Sequence, residues 1–310
     1  MSHSTGARPP VSVGVMRQPD EPARASAGCL AALTSAGLDH VVTADHVSFR
    51  VGAGRDGLID AAGLLAAGDL PVYVGLYLLA LRHPVLVARQ LSTLAEAAPG
   101  RLVLGVGVGG EDRHEVEVCG VDPRTRGRRM DECLSVLRAL LAGEPVTRQG
   151  DFFDLDEALI LPTPSPPVPL VVGGRSDAAL GRAARLGDGW LGIWVSARRY
   201  AEVVARIADL AGEAGRGDVT WRHGLNVWCG LDDDRERARR QLAAGMTSMY
   251  GLLFEAFERW SPSGSAEEVA AFLAPYVDAG VRDLNLICPG PDRAAVVERV
   301  AEVRRLLVSR

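Results

Sequence analysis

The chain has 310 residues, with 34 Lys and Arg, 39 Asp and Glu, and a formal net charge of -5. This length suits one large domain or two small ones, and the slight acidity excludes the broad basic surface that nucleic acid requires. All 34 cationic residues are arginines, and the lack of lysine excludes Schiff-base chemistry and Walker phosphate binding.

Apolar runs of strand length alternate with stretches of helical period, which is the pattern of a parallel α/β fold. Eight strands are predicted, at residues 11–16, 40–44, 72–79, 102–108, 169–172, 190–195, 224–229 and 284–288. Since eight parallel strands close a barrel, we predict one (β/α)8 TIM barrel domain over residues 1–310, with residues 1–10 disordered. The alternative is an open doubly wound sheet, which needs a glycine fingerprint that residues 17–20 lack.

Two insertions interrupt the repeat. Residues 144–169 hold a Phe-rich hairpin pattern followed by five prolines at residues 162–169, which predicts an excursion before the fifth strand. Between the seventh and eighth strands, two helices are predicted, one before and one after Trp260. Ser265 and Glu268 form a capping box for the second helix, and Pro275 predicts a kink in it.

Composition also limits the location and the chemistry. No segment reaches the ~18 uninterrupted apolar residues of a membrane span, and the first ten residues lack the apolar core of a signal peptide. We therefore expect a cytoplasmic protein with no membrane partner. Five cysteines without a CxxC pair favour reduced thiols, and we expect no metal.

The first candidate site follows the second predicted strand. In a closed parallel barrel the carboxyl ends of all strands meet at one rim, where active sites lie. Asp45 and His46 stand at this rim. We expect the imidazole of His46 to point into the mouth, where it can transfer a proton near neutral pH, and Asp45 to orient it or a bound ring. A purely structural histidine is the alternative.

Glycines mark two further candidate segments. Gly173, Gly174, Arg175 and Ser176 separate the fifth strand from a helix, so backbone N–H groups, the helix N-terminus and a guanidinium predict a phosphate site. A tight turn with Ser176 as the N-cap is the structural alternative. Within and just after the fourth strand, the glycines at 105, 107, 109 and 110 either admit a flat ligand or permit tight barrel packing.

Five stretches in order resemble the bacterial luciferase-like flavin oxidoreductases, especially the branch that uses the deazaflavin coenzyme F420. They are residues 37–46, 81–91, 100–107, 126–132 and 169–190. The most specific is Pro169-Leu-Val-Val-Gly-Gly-Arg-Ser176. The resemblance implies a TIM barrel that binds F420 in its mouth and transfers a hydride between F420 and an organic substrate, with Asp45 and His46 at the reacting centre.

The resemblance also implies which residues hold the cofactor. Its phosphate is expected near residues 173–176. A non-prolyl cis peptide on the third strand is expected to brace its ring, and we place this peptide at Tyr77-Leu78, give or take one residue. Further predicted contacts come from Gly107, Val108 and Gly109. Arginines are expected to line the exit of the acidic tail: Arg113, Arg175 and one of Arg50 and Arg55.

Some residues depart from the family pattern, and alternatives remain open. The sugar-phosphate dehydrogenases of this family have a tryptophan and an acid where Arg50 and Gly110 stand, with Glu111 one residue displaced, so we do not expect a sugar-phosphate substrate. FMN with a partner flavin reductase and O2 is the alternative cofactor system. A cofactor-free barrel that acts as a binding subunit is the third. We also expect a homodimer.

Overall fold

A computed structural model describes residues 11–18, 21–50, 52–109, 112–251 and 253–310. Its strands are β1 (Ser12–Met16), β2 (His40–Thr43), β3 (Val72–Tyr77), β4 (Leu102–Val106), β5 (Val146–Gln149), β6 (Asp154–Ala158), β7 (Leu170–Gly173), β8 (Gly189–Ile193), β9 (Gly224–Trp228), β10 (Gly230–Leu231), β11 (Ser263–Gly264) and β12 (Asp283–Ile287). The predicted disorder of residues 1–10 concerns a segment outside the described residues.

Within the described chain, eight strands form a closed barrel in the order β1, β12, β9, β8, β7, β4, β3, β2, and every neighbouring pair is parallel. The predicted TIM barrel is therefore confirmed. The α-helices are α1 (Ser26–Ser35), α2 (Gly57–Ala67), α3 (Pro84–Ala97), α4 (Arg113–Val118), α5 (Arg126–Leu141), α6 (Asp177–Leu186), α7 (Ala197–Glu213), α8 (Arg235–Tyr250), α9 (Ala266–Asp278) and α10 (Arg293–Val308).

Local side-chain chemistry explains where many helices begin. At seven helix starts an Asp or Ser side chain accepts a hydrogen bond from a first-turn N–H: Asp56, Asp112, Ser176, Ser196, Asp234, Ser265 and Asp292. Such caps satisfy donors that have no partner within the helix. The predicted capping box of Ser265 and Glu268 is present at the start of α9, and Pro275 lies inside that helix.

Both insertions occur where the pattern placed them. The antiparallel hairpin β5–β6 lies between α5 and β7. Between β9 and β12 the chain forms the short parallel pair β10–β11 and the helices α8 and α9, with two 3-10 turns, Phe254–Ala256 and Glu258–Trp260, between these helices. None of the described helices has the length and apolar character needed to cross a membrane.

The barrel interior below the mouth is filled by an apolar layer and a polar network. Val42, Tyr73, Val103, Val171 and Leu191 form a separate buried cluster, one residue from each of five strands. In the network, His40 contacts Ser12 and Asn285, Asn285 donates to Asn226, and Asn226 donates to the Gly75 carbonyl oxygen, at distances of 2.7 to 3.2 Å. These buried polar groups therefore find their hydrogen-bond partners within the barrel.

Candidate functional site

A cavity of about 740 Å³ opens at the carboxyl ends of the barrel strands. Residues at or just beyond the ends of all eight barrel strands of the described structure line it, together with α8. The following predicted site residues are among them: Asp45, His46, Leu78, Gly107, Val108, Gly109, Gly173, Gly174 and Arg175. The barrel thus brings the two main candidate segments, 45–46 and 173–175, into one cavity.

His46 is held on several sides. Its Nδ1 lies 3.2 Å from both carboxylate oxygens of Glu115, and its ring centre lies 4.3 Å from that of Phe49. Its backbone N–H donates to the Arg55 carbonyl oxygen at 2.9 Å. The loop that carries Arg55 can approach His46 this closely because residue 54 is a glycine. A Cβ at this position would lie 2.4 Å from the His46 carbonyl oxygen. The imidazole therefore has a defined position, with its side chain 18% exposed.

Glu115, which the sequence analysis did not identify, is the carboxylate that pairs with this histidine. It is buried in the first turn of α4 and accepts hydrogen bonds from the N–H groups of Val47, at 2.7 Å, and Ser48, at 3.3 Å. Burial opposes ionisation, but His46 and these amides together hold the pKa of Glu115 below its ordinary value of 4.5. Because an ionised carboxylate only accepts hydrogen bonds, His46 Nδ1 carries a hydrogen and Nε2 is left for the cavity.

Asp45 does not hydrogen-bond to the imidazole, which corrects the prediction that it orients His46; the alternative, that it orients a bound ring, stays a prediction. Its carboxylate accepts hydrogen bonds from the backbone N–H groups of Gly57, at 2.9 Å, and Leu78, at 2.8 Å, and from the Arg82 guanidinium, at 2.8 Å. Burial raises the pKa of Asp45, and Arg82 and the two amides oppose this rise. Asp45 therefore ties the end of β2 to α2 and to the end of β3, and so supports the backbone that carries His46.

The non-prolyl cis peptide joins Gly75 to Leu76, two residues before the predicted Tyr77-Leu78. The register of β3 against β4 shifts just before Tyr77, and both residues of the cis bond line the cavity. Tyr77 does not line it. The Tyr77 ring is buried in the main core, with the Arg82 guanidinium carbon 4.6 Å from its centre. Leu78 lines the cavity, so one residue of the predicted pair reaches the site.

The glycines of the cavity wall make room for the Leu76 side chain. A Cβ on Gly107 would lie 2.9 Å from Leu76 Cδ1, and a Cβ on Gly173 would lie 2.6 Å from the same atom. A Cβ on Gly105 would lie 2.6 Å from the Val74 carbonyl oxygen. Tight barrel packing, the alternative left open by the sequence for Gly105 and Gly107, therefore accounts for these two glycines, while Gly107 and Gly173 also line the cavity.

The turn after β7 places a cation beside a helix N-terminus. Gly174 has a φ of +118°, and its carbonyl oxygen accepts a hydrogen bond from Trp190 Nε1 at 2.7 Å. Ser176 is the N-cap of α6, where its hydroxyl accepts from the Ala179 N–H, and it does not line the cavity. Arg175 lines the cavity, is exposed and makes no ion pair with any described residue. This arrangement is typical of phosphate sites.

The other arginines differ in position. Arg113 is exposed on α4, where it pairs with Glu117 at 3.0 Å, so the structure does not bring it to the cavity. Arg55 lines the cavity and pairs with Asp60 at 3.4 Å. Arg50 also lines it and is exposed. Two residues discussed from the sequence lie outside the described residues: Gly110 and Glu111.

The chain is similar to known proteins over most of its length. The family model described as luciferase-like monooxygenase matches residues 9–310. An F420-dependent glucose-6-phosphate dehydrogenase of Beutenbergia cavernae is 30% identical over 297 residues, which cover 86% of this chain and 88% of that protein. An uncharacterised protein of Mycobacterium tuberculosis is 38% identical over 198 residues, covering 64% of this chain but only 60% of that protein.

Solved structures share the fold. An F420-dependent secondary alcohol dehydrogenase in complex with an F420-acetone adduct superimposes with a TM-score of 0.84 at 21% identity, over 96% of this chain and 99% of that one. An F420-dependent tetrahydromethanopterin reductase from Methanopyrus kandleri has a TM-score of 0.75 at 18% identity, over 94% and 98% of the two chains. The chain belongs to the luciferase-like monooxygenase family.

Proposed function

We propose that this chain is an F420-dependent oxidoreductase that transfers a hydride between the deazaflavin and an organic substrate. The observation that carries the proposal is that His46, which is paired with the buried carboxylate of Glu115, lines the same cavity as the cationic glycine turn at residues 173–175. Relatives named F420-dependent glucose-6-phosphate dehydrogenase and F420-dependent hydroxymycolic acid dehydrogenase support the choice of cofactor.

The residues of the cavity fit such a cofactor. The backbone of residues 107–109 and the side chain of Leu76 form a wall against which a planar ring would be held. Arg175, beside the N-terminus of α6, would hold a phosphate, because it is a cation without an ion-pair partner among the described residues. Exposed Arg50 adds a second cation at the rim. The bound deazaflavin would supply the hydride-carrying carbon.

The role of His46 is to hold or accept a proton at Nε2. When an alcohol is oxidised, its carbinol carbon loses hydrogen as a hydride and its hydroxyl group loses a proton, which Nε2 of His46 accepts. In the reverse direction Nε2 donates that proton to the carbonyl oxygen. Glu115 keeps the hydrogen on Nδ1 and balances the positive charge of the imidazolium, and burial of the carboxylate strengthens this interaction.

FMN remains the competing cofactor, because its ribityl phosphate suits the same turn. Equilibrium dialysis of the purified full chain against equimolar F420 and FMN distinguishes the two, since each has its own absorbance spectrum. We expect F420 to be retained and FMN to be lost. Preferential retention of FMN would replace the proposal with an FMN-dependent monooxygenase that needs a reductase partner. Retention of neither cofactor would favour a binding subunit.

A further inference from the structure

A second exposed cation lines the cavity at a different part of the rim from Arg175. Arg50 follows β2, and β3 and β4 separate β2 from β7 in the closed order. The Arg50 side chain lies against Gly251, the C-cap of α8, where a Cβ would lie 2.5 Å from Arg50 Nη1. A cation is stabilised near a helix C-terminus. Arg50 therefore extends along the rim from the end of β2 to the helix that follows β9.

The guanidinium of Arg50 is free to bind an anion. The Asp112 carboxylate accepts a hydrogen bond from the Arg50 backbone N–H at 2.5 Å, but the guanidinium makes no hydrogen bond or ion pair with any described residue. Two other arginines that line the cavity, Arg17 and Arg55, both pair with Asp60. An exposed cation inside a cavity raises the local concentration of anionic ligands, because the surrounding walls focus its field.

Arg50 also lies close to the imidazole. The centre of the Phe49 ring lies 4.3 Å from the imidazole centre of His46 and 5.5 Å from the Arg50 guanidinium carbon. The distance between the imidazole and the guanidinium is therefore at most the sum of these two values, which a small organic molecule can span. A ligand whose reacting oxygen faces Nε2 of His46 can thus place an anionic substituent beside Arg50.

An aromatic wall lies next to Arg50. Tyr250 directly precedes Gly251, and its ring centre lies 5.3 Å from that of Trp194 and 5.7 Å from that of Trp228, both edge-on. All three aromatic residues line the cavity. Because aromatic side chains bury large areas when a ligand covers them, this wall favours an apolar or aromatic body in the ligand.

We propose that Arg50 binds an anionic group of the substrate, and that the substrate is a hydroxy or keto carboxylic acid with an apolar or aromatic body. This inference rests on the proposed function, because it assigns the substrate class of the same cavity and leaves Arg175 to the coenzyme phosphate. A carboxylate fits Arg50 better than a phosphate monoester does. One planar guanidinium pairs with the two carboxylate oxygens, whereas a phosphate monoester carries roughly two negative charges at neutral pH.

Three probes of the same shape and different charge test the substrate class on the full chain. They are 4-acetylbenzoate, 4-acetylbenzamide and 4-acetylbenzamidine, which carry a negative, a neutral and a positive group on the same aromatic ketone. Ligand-observed NMR titrations measure each Kd without F420 and at saturating F420, where the coenzyme phosphate occupies the turn beside Arg175. We expect the benzoate to bind roughly tenfold more tightly than the benzamide, and the amidine to bind more weakly than both. High salt should reduce the advantage of the benzoate.

Variants of Arg50 locate the anion. Arg50→Gln removes the charge and should abolish the advantage of the benzoate over the benzamide. Arg50→Lys should restore part of this advantage, because it returns a point charge without the planar pair of donors. Arg206→Gln, at an exposed position on α7 that does not line the cavity, should keep the advantage. Thermal melting verifies that each variant folds.

Several results would overturn the inference. In the parent chain these are equal Kd values for the three probes, or tighter binding of the benzamide or the amidine. In folded Arg50→Gln it is an unchanged advantage of the benzoate. This variant should also leave the Kd of F420 within about twofold of the parent value, since the phosphate site is separate. A rise in that Kd as large as the rise for the benzoate would assign Arg50 to the acidic tail of the coenzyme instead.

F420 uptake, read from its own absorbance, is measured independently of probe binding. F420 retention without preference for the benzoate would overturn the substrate class and leave the proposed function standing. A preference for the benzoate that depends on Arg50, in a chain that does not retain F420, would overturn the proposed function and leave the assignment of Arg50.

Discussion

His46 Nδ1 lies 3.2 Å from both carboxylate oxygens of Glu115, a residue 69 positions further along the chain. The carboxylate next to His46 in sequence, Asp45, instead bonds to Arg82 and to two backbone amides. Both carboxylates are buried, and a buried carboxylate needs several hydrogen-bond donors. Asp45 and Glu115 find their donors in different parts of the structure, and their roles therefore differ. Asp45 supports the backbone, and Glu115 supports the imidazole.

The first prediction concerns the charge of Glu115. Glu115→Gln keeps the side-chain shape and an acceptor for the Val47 N–H, but it removes the negative charge that stabilises the imidazolium. We expect turnover with F420 to fall by roughly 10²-fold or more, with little change in the Kd of F420. Glu117→Gln is the matched control, because Glu117 is exposed on the same helix and pairs with Arg113. Turnover of Glu115→Gln within twofold of the parent chain would contradict the assigned role.

The second prediction concerns the imidazole. His46→Ala should bind F420 nearly as well as the parent chain, because the glycine turn and Arg175 are unchanged. Its turnover should fall by ~10²-fold or more, the contribution of a general acid or base. Stopped-flow absorbance of F420 separates the hydride step from binding. His114→Ala, at an exposed position on α4, is the control and should keep its rate. A parent-like hydride rate in His46→Ala would remove His46 from the mechanism.

Much of the fold follows from the sequence because barrel strands must be buried on both faces. Apolar runs such as Leu102–Val106 and Leu170–Gly173 are short and continuous, and helices with caps such as Ser265 separate the strands. The position of the cis peptide does not follow, since the bulge in β3 changes which side chains point inward without changing apolar character. Gly75 and Leu76, which line the cavity, lie at that shift.

Part of the candidate site could also be predicted from the sequence. The strand-end rule identified His46 and the turn at residues 173–175, since parallel strands deliver their carboxyl ends to one rim. A signal for Glu115 also exists: Asp112 is an N-cap, which places Glu115 in the first helical turn after β4. Its contact with His46 is tertiary, and the spacing of residues along the chain does not encode which of two nearby carboxylates faces the imidazole.

The third prediction tests how Leu76 and Gly173 share space. In Gly173→Ala the new methyl would lie 2.6 Å from Leu76 Cδ1, so the Leu76 side chain, which lines the cavity, must move. We expect a destabilisation of about 1–3 kcal/mol and weaker F420 binding. Adding Leu76→Val should restore part of the lost stability and part of the lost F420 affinity. A double-mutant cycle of denaturant melts and F420 titrations measures both. Gly28→Ala, with nothing within 4 Å of its Cβ, is the control. Strictly additive effects would exclude the contact.

The fourth prediction concerns the phosphate site. Arg175→Gln removes an exposed cation that has no ion-pair partner in the described structure, so the fold should be unaffected. We expect the Kd of F420 to rise by roughly tenfold, and less at high salt, because charge-assisted phosphate contacts are worth about 1.5–3 kcal/mol before screening. The hydride rate at saturating F420 should be unchanged. Arg185→Gln, at the far end of α6, is the control. Equal effects of the two substitutions would argue against a phosphate beside Arg175.

The last prediction concerns stability in acid. His223 is buried, its Nδ1 accepts a hydrogen bond from the Trp190 N–H at 3.1 Å, and burial, with the nearby charge of Arg282, lowers its pKa from 6.5 to about 4. As the pH falls below 6.5, the unfolded chain binds a proton that the folded chain refuses, so the free energy of unfolding should decrease until about pH 4 and then level off.

The expected loss from this one residue is about 3 kcal/mol. His223→Asn keeps an acceptor for the Trp190 N–H but cannot titrate, so its urea-denaturation free energy should depend less steeply on pH between 4 and 6.5. Part of the slope should persist, because burial also lowers the pKa of His40. His114→Asn, at an exposed position, should keep the slope of the parent chain. If His223→Asn keeps it as well, then His223 is not the group that makes the fold sensitive to acid.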